Sequence, residues 1–324
     1  MRDHLLSPFL VSFLVSVLLT PLAGRLAVRL GRVSAPKPSV DGHTRTTPIL
    51  GGLAVFCAAL PFLLSSREVG LAVCAILMAL VGLADDFFAL SPVRKLIGQA
   101  VVGIAAAAAG LRFELFGVSA LDAVATVLWL VAVANAFNVI DMMNGLSAGV
   151  GGIASFGFAA ALAWAGQAGS TAVALALCGG LCGFLVYNFH PARIFMGNVG
   201  SQFAAGALGG MAVLLQSMGG GVAGFLFLGF PLFEAFFLIV VRTRQGRKWY
   251  LASRDHTAQR LVQAGCSIRG AVLILYAAAF LCAGLALIAV RSGPFVACAL
   301  AGGLAGCGWI AGWRLAKVDM GTET

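Results

Sequence analysis

Along this chain apolar residues come in long runs, not in alternation with polar ones. Eleven such runs, at 5–28, 49–65, 69–84, 96–110, 121–140, 147–164, 171–188, 201–217, 222–241, 270–290 and 294–314, are divided by short polar loops. A helix crosses a ~30 Å hydrocarbon core with about 20 apolar residues, and several of these runs sit near the lower limit for spanning. None has the period-two pattern of a barrel strand. The pattern predicts an all-α fold, a polytopic transmembrane helical bundle of about 11 spans. No linker-like stretch divides it, so 1–324 reads as a single integral membrane domain. Gly and Ala recur within the runs, as close helix packing in lipid requires. The first run follows Arg2 and lacks a clean small-residue cleavage site, so it reads as a span, not a signal peptide.

Composition agrees with this reading. Of 324 residues, 60% are hydrophobic and only 10% charged, where a soluble domain carries roughly 25% charged residues. The net charge is +9. These charges sit in short loops, so they speak first of topology and then of anionic ligands or lipid, not of nucleic acid. Arg2, Arg67, Arg112 and Arg291 fall on one side of the predicted bundle. All the others of the 21 Lys and Arg fall on the opposite side. The basic side faces the cytoplasm, which puts the N-terminus outside and the C-terminus inside. The eight cysteines include no CxxC pair and are expected to be reduced core residues.

The polar residues capable of chemistry gather on that same basic side. Asp85 and Asp86 end the third run without a break. Two neighbouring acids repel unless a cation stands between them, and hard carboxylate oxygens suit Mg²⁺. Asn135, Asn138 and Asp141 are spaced i, i+3, i+6, an arc of roughly 120° on a helix, so they form one polar stripe. Asn144 follows. Gly197-Asn198-Val199-Gly200-Ser201 leads into a helix, where successive N–H groups form a nest for an anion. The basic 242–269 loop brings Arg254 and His256, which flank Asp255, and Arg260, a basic set able to clamp phosphates. Glu234, inside an apolar run after Pro231, is a candidate by its depth alone. His190-Pro191 reads as a helix terminator. These features together imply a divalent-cation site, an anion-rich substrate, and phosphoryl or phosphosugar transfer at the membrane surface. The residues alone leave open a transporter and a non-catalytic protein that binds a nucleotide sugar or lipid phosphate.

At these positions the sequence resembles the polyprenyl-phosphate N-acetylhexosamine-1-phosphate transferases, in order over roughly 31–265. Pro36, His43, Pro48 and Gly51-Gly52 are similar to the family's first signature. Gly82-Leu83-Ala84-Asp85-Asp86 with Arg94-Lys95-Leu96 and Gln99 is similar to its aspartate-pair motif. Asn135 to Asp141, through Gly145-Leu146, resembles N-x-x-N-x-x-D. Ala192 to Ser201 resembles the F-M-G-D-x-G-S loop, and Arg254 to Leu261 the histidine motif.

The resemblance implies an enzyme of the bacterial inner membrane, with its active site facing the cytoplasm, that starts a cell-envelope glycan such as cell wall or lipopolysaccharide. A polyprenyl phosphate attacks the β-phosphate of a UDP-amino sugar, and UMP leaves. The cofactor implied is Mg²⁺, with Mn²⁺ as a substitute, and a homodimer is a family-level expectation. The catalytic residues implied are Asp85, Asp86, Asp141 and His256. Those implied for substrate are Asn135, Asn138, Asn144, Phe195, Lys95, His43, Arg254 and Arg260. Those implied for metal are Asp85, Asp86 and Asn198. The chain departs from the pattern at several places. Asn198 stands for the family's loop aspartate, an expected metal ligand. Met142 replaces a glycine, Ala258 and Gln259 replace two histidines, and Ser34 replaces an early aspartate. These changes argue against the muramoyl-pentapeptide branch and leave the sugar open.

Overall fold

A computed structural model describes residues 6–35, 46–248, 255–318 and 320. Its helices run α1 Ser7–Arg29, α2 Gly52–Ser65, α3 Val69–Phe88, α4 Pro92–Ala108, α5 Ser119–Ile140, α6 Leu146–Trp164, α7 Ala168–Asn188, α8 Gly197–Leu215, α9 Ala223–Phe227, α10 Gly229–Arg244, α11 Thr257–Gln263, α12 Ile268–Arg291 and α13 Pro294–Ala316. The described residues hold a single small sheet, β1 Val33–Ser34 paired antiparallel with β2 Thr47–Pro48.

Each predicted run has become a helix, with one difference. The ninth run is broken into α9 and α10, which meet at Leu228. Gly229 and Pro231 lie at this junction, and proline lacks the N–H that a continuous helix would use. Among the described residues eight helices are long and apolar enough to cross a membrane: α1, α3, α5, α6, α7, α8 with its π-helical extension Gln216–Gly220, α12 and α13. The remaining three runs gave the shorter helices α2, α4 and α10.

The packing of α1 shows which solvent the fold is built for. Its buried positions are Pro8, Ser12, Ser16, Thr20, Ala23 and Ala27, spaced three to four apart. Leu10, Leu14, Leu18, Leu22 and Leu26 point outward and are exposed. A water-soluble helix does the reverse. Here the small face packs inward because hydrocarbon outside is as apolar as leucine, so close backbone approach drives association. The partner is α7, where a Cβ on Gly179 or Gly183 would strike the backbone carbonyls of Phe9 and Phe13. Ser12 Oγ donates to Ala58 O of α2 at 2.8 Å. The protein is thus a multi-pass membrane protein.

The cysteines are all free thiols. Cys74, Cys178 and Cys282 are buried as expected, but Cys57, Cys298 and Cys307 lie on the outer surface. An apolar run in a membrane protein has a lipid-facing side as well as a core side, which the sequence does not separate.

Candidate active site

The site forms where the C-terminal ends of α3 and α5 meet the N-terminal ends of α4 and α8. Helix α4 is started firmly: Ser91 is its N-cap, its side chain accepts from Arg94 N, and Pro92 follows with a preset φ. That start places Lys95 on the first turn. Its Nζ reaches Asp85 Oδ2 at 2.9 Å, Asn138 Oδ1 at 2.7 Å and Asn198 Oδ1 at 2.8 Å. One buried ammonium therefore joins α3, α4, α5 and α8, spending its three donors on three oxygens.

Asp86 does something different from its neighbour. Its Oδ1 accepts from Asn198 N at 2.8 Å and from Asn198 Nδ2 at 3.0 Å, and its Oδ2 accepts from Val199 N at 2.9 Å. It caps α8, a carboxylate at the positive end of a helix. The approach needs two glycines. A Cβ on Gly82 would meet Asn198 O, and one on Gly197, whose φ is +72°, would meet Ile49 O. The loop before α8 is held from the far side as well. Phe195 N donates to Pro48 O at 2.8 Å, and Gly51 N donates to Phe195 O at 3.0 Å.

The polar stripe on α5 divides by depth. Asn138 faces Lys95. Asn135 lies one turn deeper and donates to Gln99 Oε1 at 2.9 Å, while Gln99 Nε2 donates to Gln202 Oε1 at 3.0 Å. Gln202 closes the ladder on Ala134 O at 3.1 Å. This amide ladder ties α4, α5 and α8 beneath the site, so Asn135, expected at the substrate, here supports the floor. Asp141 sits just past the end of α5. Its carboxylate accepts no hydrogen bond from the described residues. Burial and the charge of Asp86 push it well above the usual carboxylate range, against the pull of Lys95.

The oxygens of the expected metal set are thus largely committed. Asp85 accepts from Leu90 N at 2.8 Å and pairs with Lys95. Asp86 caps α8, and Asn198 turns its oxygen to Lys95. Asp141, expected as a catalytic residue and not as a metal ligand, is by contrast uncommitted among the described residues, and it stands in the field of Asp86. A hard cation would suit it, with substrate phosphates completing the shell, as Mg²⁺ commonly takes one or two carboxylates. Among the described residues no group of three or more His, Cys, Asp or Glu is placed to hold a metal ion.

A second polar cluster adjoins the first through the short 141–145 loop. Asn144 Nδ2 lies 3.2 Å from His190 Nδ1, and Arg269 Nε donates to His190 O at 3.0 Å. Asn188 accepts from Gly145 N and donates to Ile194 O, and Tyr276 OH donates to Gly145 O at 2.6 Å. His190, read from sequence as part of a terminator, is therefore a site neighbour. Burial and the nearby Arg269 lower its pKa below that of an ordinary histidine. A polar residue embedded in an apolar run was the available signal for Asn188 and Gln202. Nothing in the sequence marked Tyr276.

The histidine-motif region places Arg260 inside the fold. Arg260, expected to bind phosphate, is 1% exposed. Its guanidinium pairs with Asp255 Oδ1 at 2.6 Å and donates to Leu315 O, Ala316 O and Val318 O. It holds the C-terminal end of α13, where the last helix carbonyls lack intrahelical donors. Glu234, the embedded acid, accepts from Thr257 N and Thr257 Oγ1 and so caps α11. His256 Nδ1 lies 3.4 Å from Glu234 Oε1 without hydrogen-bond geometry. His43 and Arg254 lie outside the described residues.

Comparison with known proteins bears on this geometry. The description "Glycosyl transferase family 4" matches residues 69–216, a stretch that contains Asp85, Lys95, Asn138, Asp141 and Asn198. A probable undecaprenyl-phosphate N-acetylglucosaminyl 1-phosphate transferase of Bacillus subtilis is 31% identical over 295 residues, covering 84% of this chain and 81% of its own. The chain belongs to glycosyl transferase family 4. Within this family it is similar to a decaprenyl-phosphate N-acetylglucosaminephosphotransferase of Mycolicibacterium smegmatis, 29% identical over 78% of the chain and 73% of the relative. It is also similar to a phospho-N-acetylmuramoyl-pentapeptide-transferase of Shouchella clausii, 34% identical over 52% of the chain and 61% of the relative. The likeness to the pentapeptide transferase thus covers a smaller part of the chain than the likeness to the N-acetylglucosamine enzymes.

Proposed function

We propose that this member of glycosyl transferase family 4 transfers a sugar 1-phosphate from a UDP-N-acetylhexosamine to a polyprenyl phosphate, releasing UMP. The observation that carries the reading is Lys95 held between Asp85, Asn138 and Asn198, with an uncommitted Asp141 alongside. A fixed cation and a free carboxylate at the end of a membrane bundle suit the joining of two phosphates. The names of the relatives support the acceptor class and the N-acetylhexosamine phosphate.

In this reading an oxygen of the lipid phosphate forms a bond to the β-phosphorus of the donor. The bond from that phosphorus to the oxygen bridging the α-phosphate breaks, and UMP leaves with the electron pair. The product is a polyprenyl-pyrophosphate sugar. Lys95 supplies positive charge where negative charge collects, and it needs no rearrangement because three partners already fix it. Asp86 and the glycines Gly82 and Gly197 hold the start of α8 against α3, which fixes Asn198 beside Lys95. Phe195 would lie against the uracil, and His256 and Asn144 would line the donor's path. Asp141 would anchor Mg²⁺, or Mn²⁺ in its place. Such an ion would screen the pyrophosphate charge and ease departure of UMP.

Asn198 fits this scheme as a link. Its amide donates to Asp86 and accepts from Lys95, a pair of roles that a carboxylate cannot fill. That supports an active enzyme with a rearranged metal set over a disabled one. The eleven-span topology, with the site facing the cytoplasm of a bacterial inner membrane, belongs to the same proposal and rests on the loop charges.

The test is an assay of the purified protein with Mg²⁺, undecaprenyl phosphate and a panel of UDP-amino sugars. Lipid-linked sugar and UMP should appear in equal amounts with one donor. UMP without lipid product, or no turnover with any donor, would count against the proposal.

A further inference from the structure

We propose that a groove between α1 and the α7–α8 connection binds the headgroup of an anionic phospholipid from the surrounding membrane. Arg25, Arg29 and Arg193 border it, with Tyr187, Pro48 and Ile194 among its other walls. Its volume is about 550 Å³, inside the roughly 300–1,000 Å³ range of ligand clefts.

Charge carries the argument. Arg25 and Arg29 are four residues apart on one helix, so they share a face, and like charges at that spacing destabilise a helix. Arg193 joins them from the opposite wall. All three are exposed, and none makes a side-chain hydrogen bond or ion pair with a described residue. Among the described residues no carboxylate lines the groove. By contrast, Arg260 pairs with Asp255, and Arg291 lies over the ring of Trp164. Three guanidinia left facing one cleft call for an anion with several acceptor oxygens.

The walls choose among anions. Val28, Pro21, Pro48 and Ile194 give the cleft an apolar lining, and Leu22, Leu26 and Val28 on the same helix are exposed toward the lipid. A phosphate joined to acyl chains matches both parts, while a soluble anion would leave the apolar part unused. Basic clusters at the membrane surface attract acidic lipid in this way. The polyprenyl-phosphate acceptor is a poorer occupant, because none of Asp85, Lys95, Asn138, Asp141 and Asn198 lines the groove. A headgroup here would still brace the site. Pro48 O accepts from Phe195 N, and Ile194 O accepts from Asn188 Nδ2, so the groove walls lead directly into the start of α8.

The experiment is lipid retention by the full chain, read by native mass spectrometry after extraction from nanodiscs of mixed phosphatidylglycerol and phosphatidylcholine. This readout does not depend on the transferase reading. The wild type should keep phosphatidylglycerol in preference to phosphatidylcholine. The triple variant Arg25→Gln/Arg29→Gln/Arg193→Gln should lose about tenfold or more of that retention. The triple lysine variant should keep a clear part of it. Single Arg29→Gln and Arg193→Gln variants, both surface changes, should each lower retention and carry the test if the triple variant folds poorly. Retention equal to wild type in the glutamine variants, or equal retention of both lipids, would overturn the proposal. So would one-for-one displacement of phosphatidylglycerol by added undecaprenyl phosphate, which would give the groove to the acceptor.

Discussion

Asn198 stands between Lys95 and Asp86, with its Oδ1 2.8 Å from Lys95 Nζ and its Nδ2 3.0 Å from Asp86 Oδ1. The partners fix the orientation of the amide, since an ammonium only donates and a carboxylate only accepts. Asn198→Asp would set a carboxylate oxygen against that of Asp86 inside a buried network. The expected result is a lower melting temperature and about a tenfold or greater fall in turnover at neutral pH. Thermal unfolding and UMP release measured side by side check this. A variant that turns over faster, with a lower Mg²⁺ requirement, would show that Asn198 occupies a metal ligand's place.

Lys95 is the charge on which the site depends. Lys95→Met keeps the length of the stem and removes the cation, leaving Asp85, Asn138 and Asn198 without their shared donor. Turnover should fall by roughly 10²–10³, the scale for losing one preorganised electrostatic contact. Lys95→Arg should not restore it, because a planar fork cannot place three donors where a compact ammonium does. Steady-state kinetics on detergent-purified variants decide this, and near-normal turnover in Lys95→Met would remove Lys95 from the mechanism.

Arg260 is assigned to structure. Arg260→Met leaves Asp255 buried with weaker partners and frees three carbonyls at the end of α13. Breaking a buried pair from one side costs about 3–5 kcal/mol, so the melting temperature should drop substantially. Turnover per folded molecule and donor KM should stay close to wild type at low temperature. A large rise in donor KM with unchanged stability would return Arg260 to the substrate.

The His190 contact gives a pH dependence. Its pKa is lowered in the folded protein, below the value of about 6.5 for a free histidine. Between those two values the unfolded chain binds the proton and the folded chain does not. Stability from this group is therefore fully present above about pH 6.5 and is lost as the pH falls through the folded pKa. His190→Gln should flatten that acid loss while keeping a polar partner for Asn144. Melting curves of both proteins from mildly acidic to neutral pH check this, and parallel curves would exclude His190 as the source.

Much of the fold was legible because lipid imposes a simple rule: long apolar runs become helices. Each run appears as one, except where Gly229 and Pro231 split the ninth. The gathering of Asp85, Asn138, Asp141 and Asn198 at one end was legible too, since loop charges alone ordered the helix ends. Roles within the cluster were not legible. Asp85 and Asp86 are adjacent in sequence, yet a helix turns them about 100° apart, so one meets Lys95 and the other caps α8. Arg260 read as a phosphate ligand because arginine serves anions and carbonyl ends alike. Only the position of α13 distinguishes the two, and no local pattern encodes it. His190 was obscured by the proline that follows it.

The most direct test of the central claim compares wild type with Asp141→Asn. Both would be given undecaprenyl phosphate, UDP-N-acetylglucosamine and Mg²⁺, with UMP and lipid-linked sugar measured together. The account predicts equal release of both products by the wild type, and a loss of about 10²-fold or more in the variant with its melting temperature retained. Unchanged release by Asp141→Asn would contradict it, because the one uncommitted carboxylate of the cluster would then have no part in the reaction.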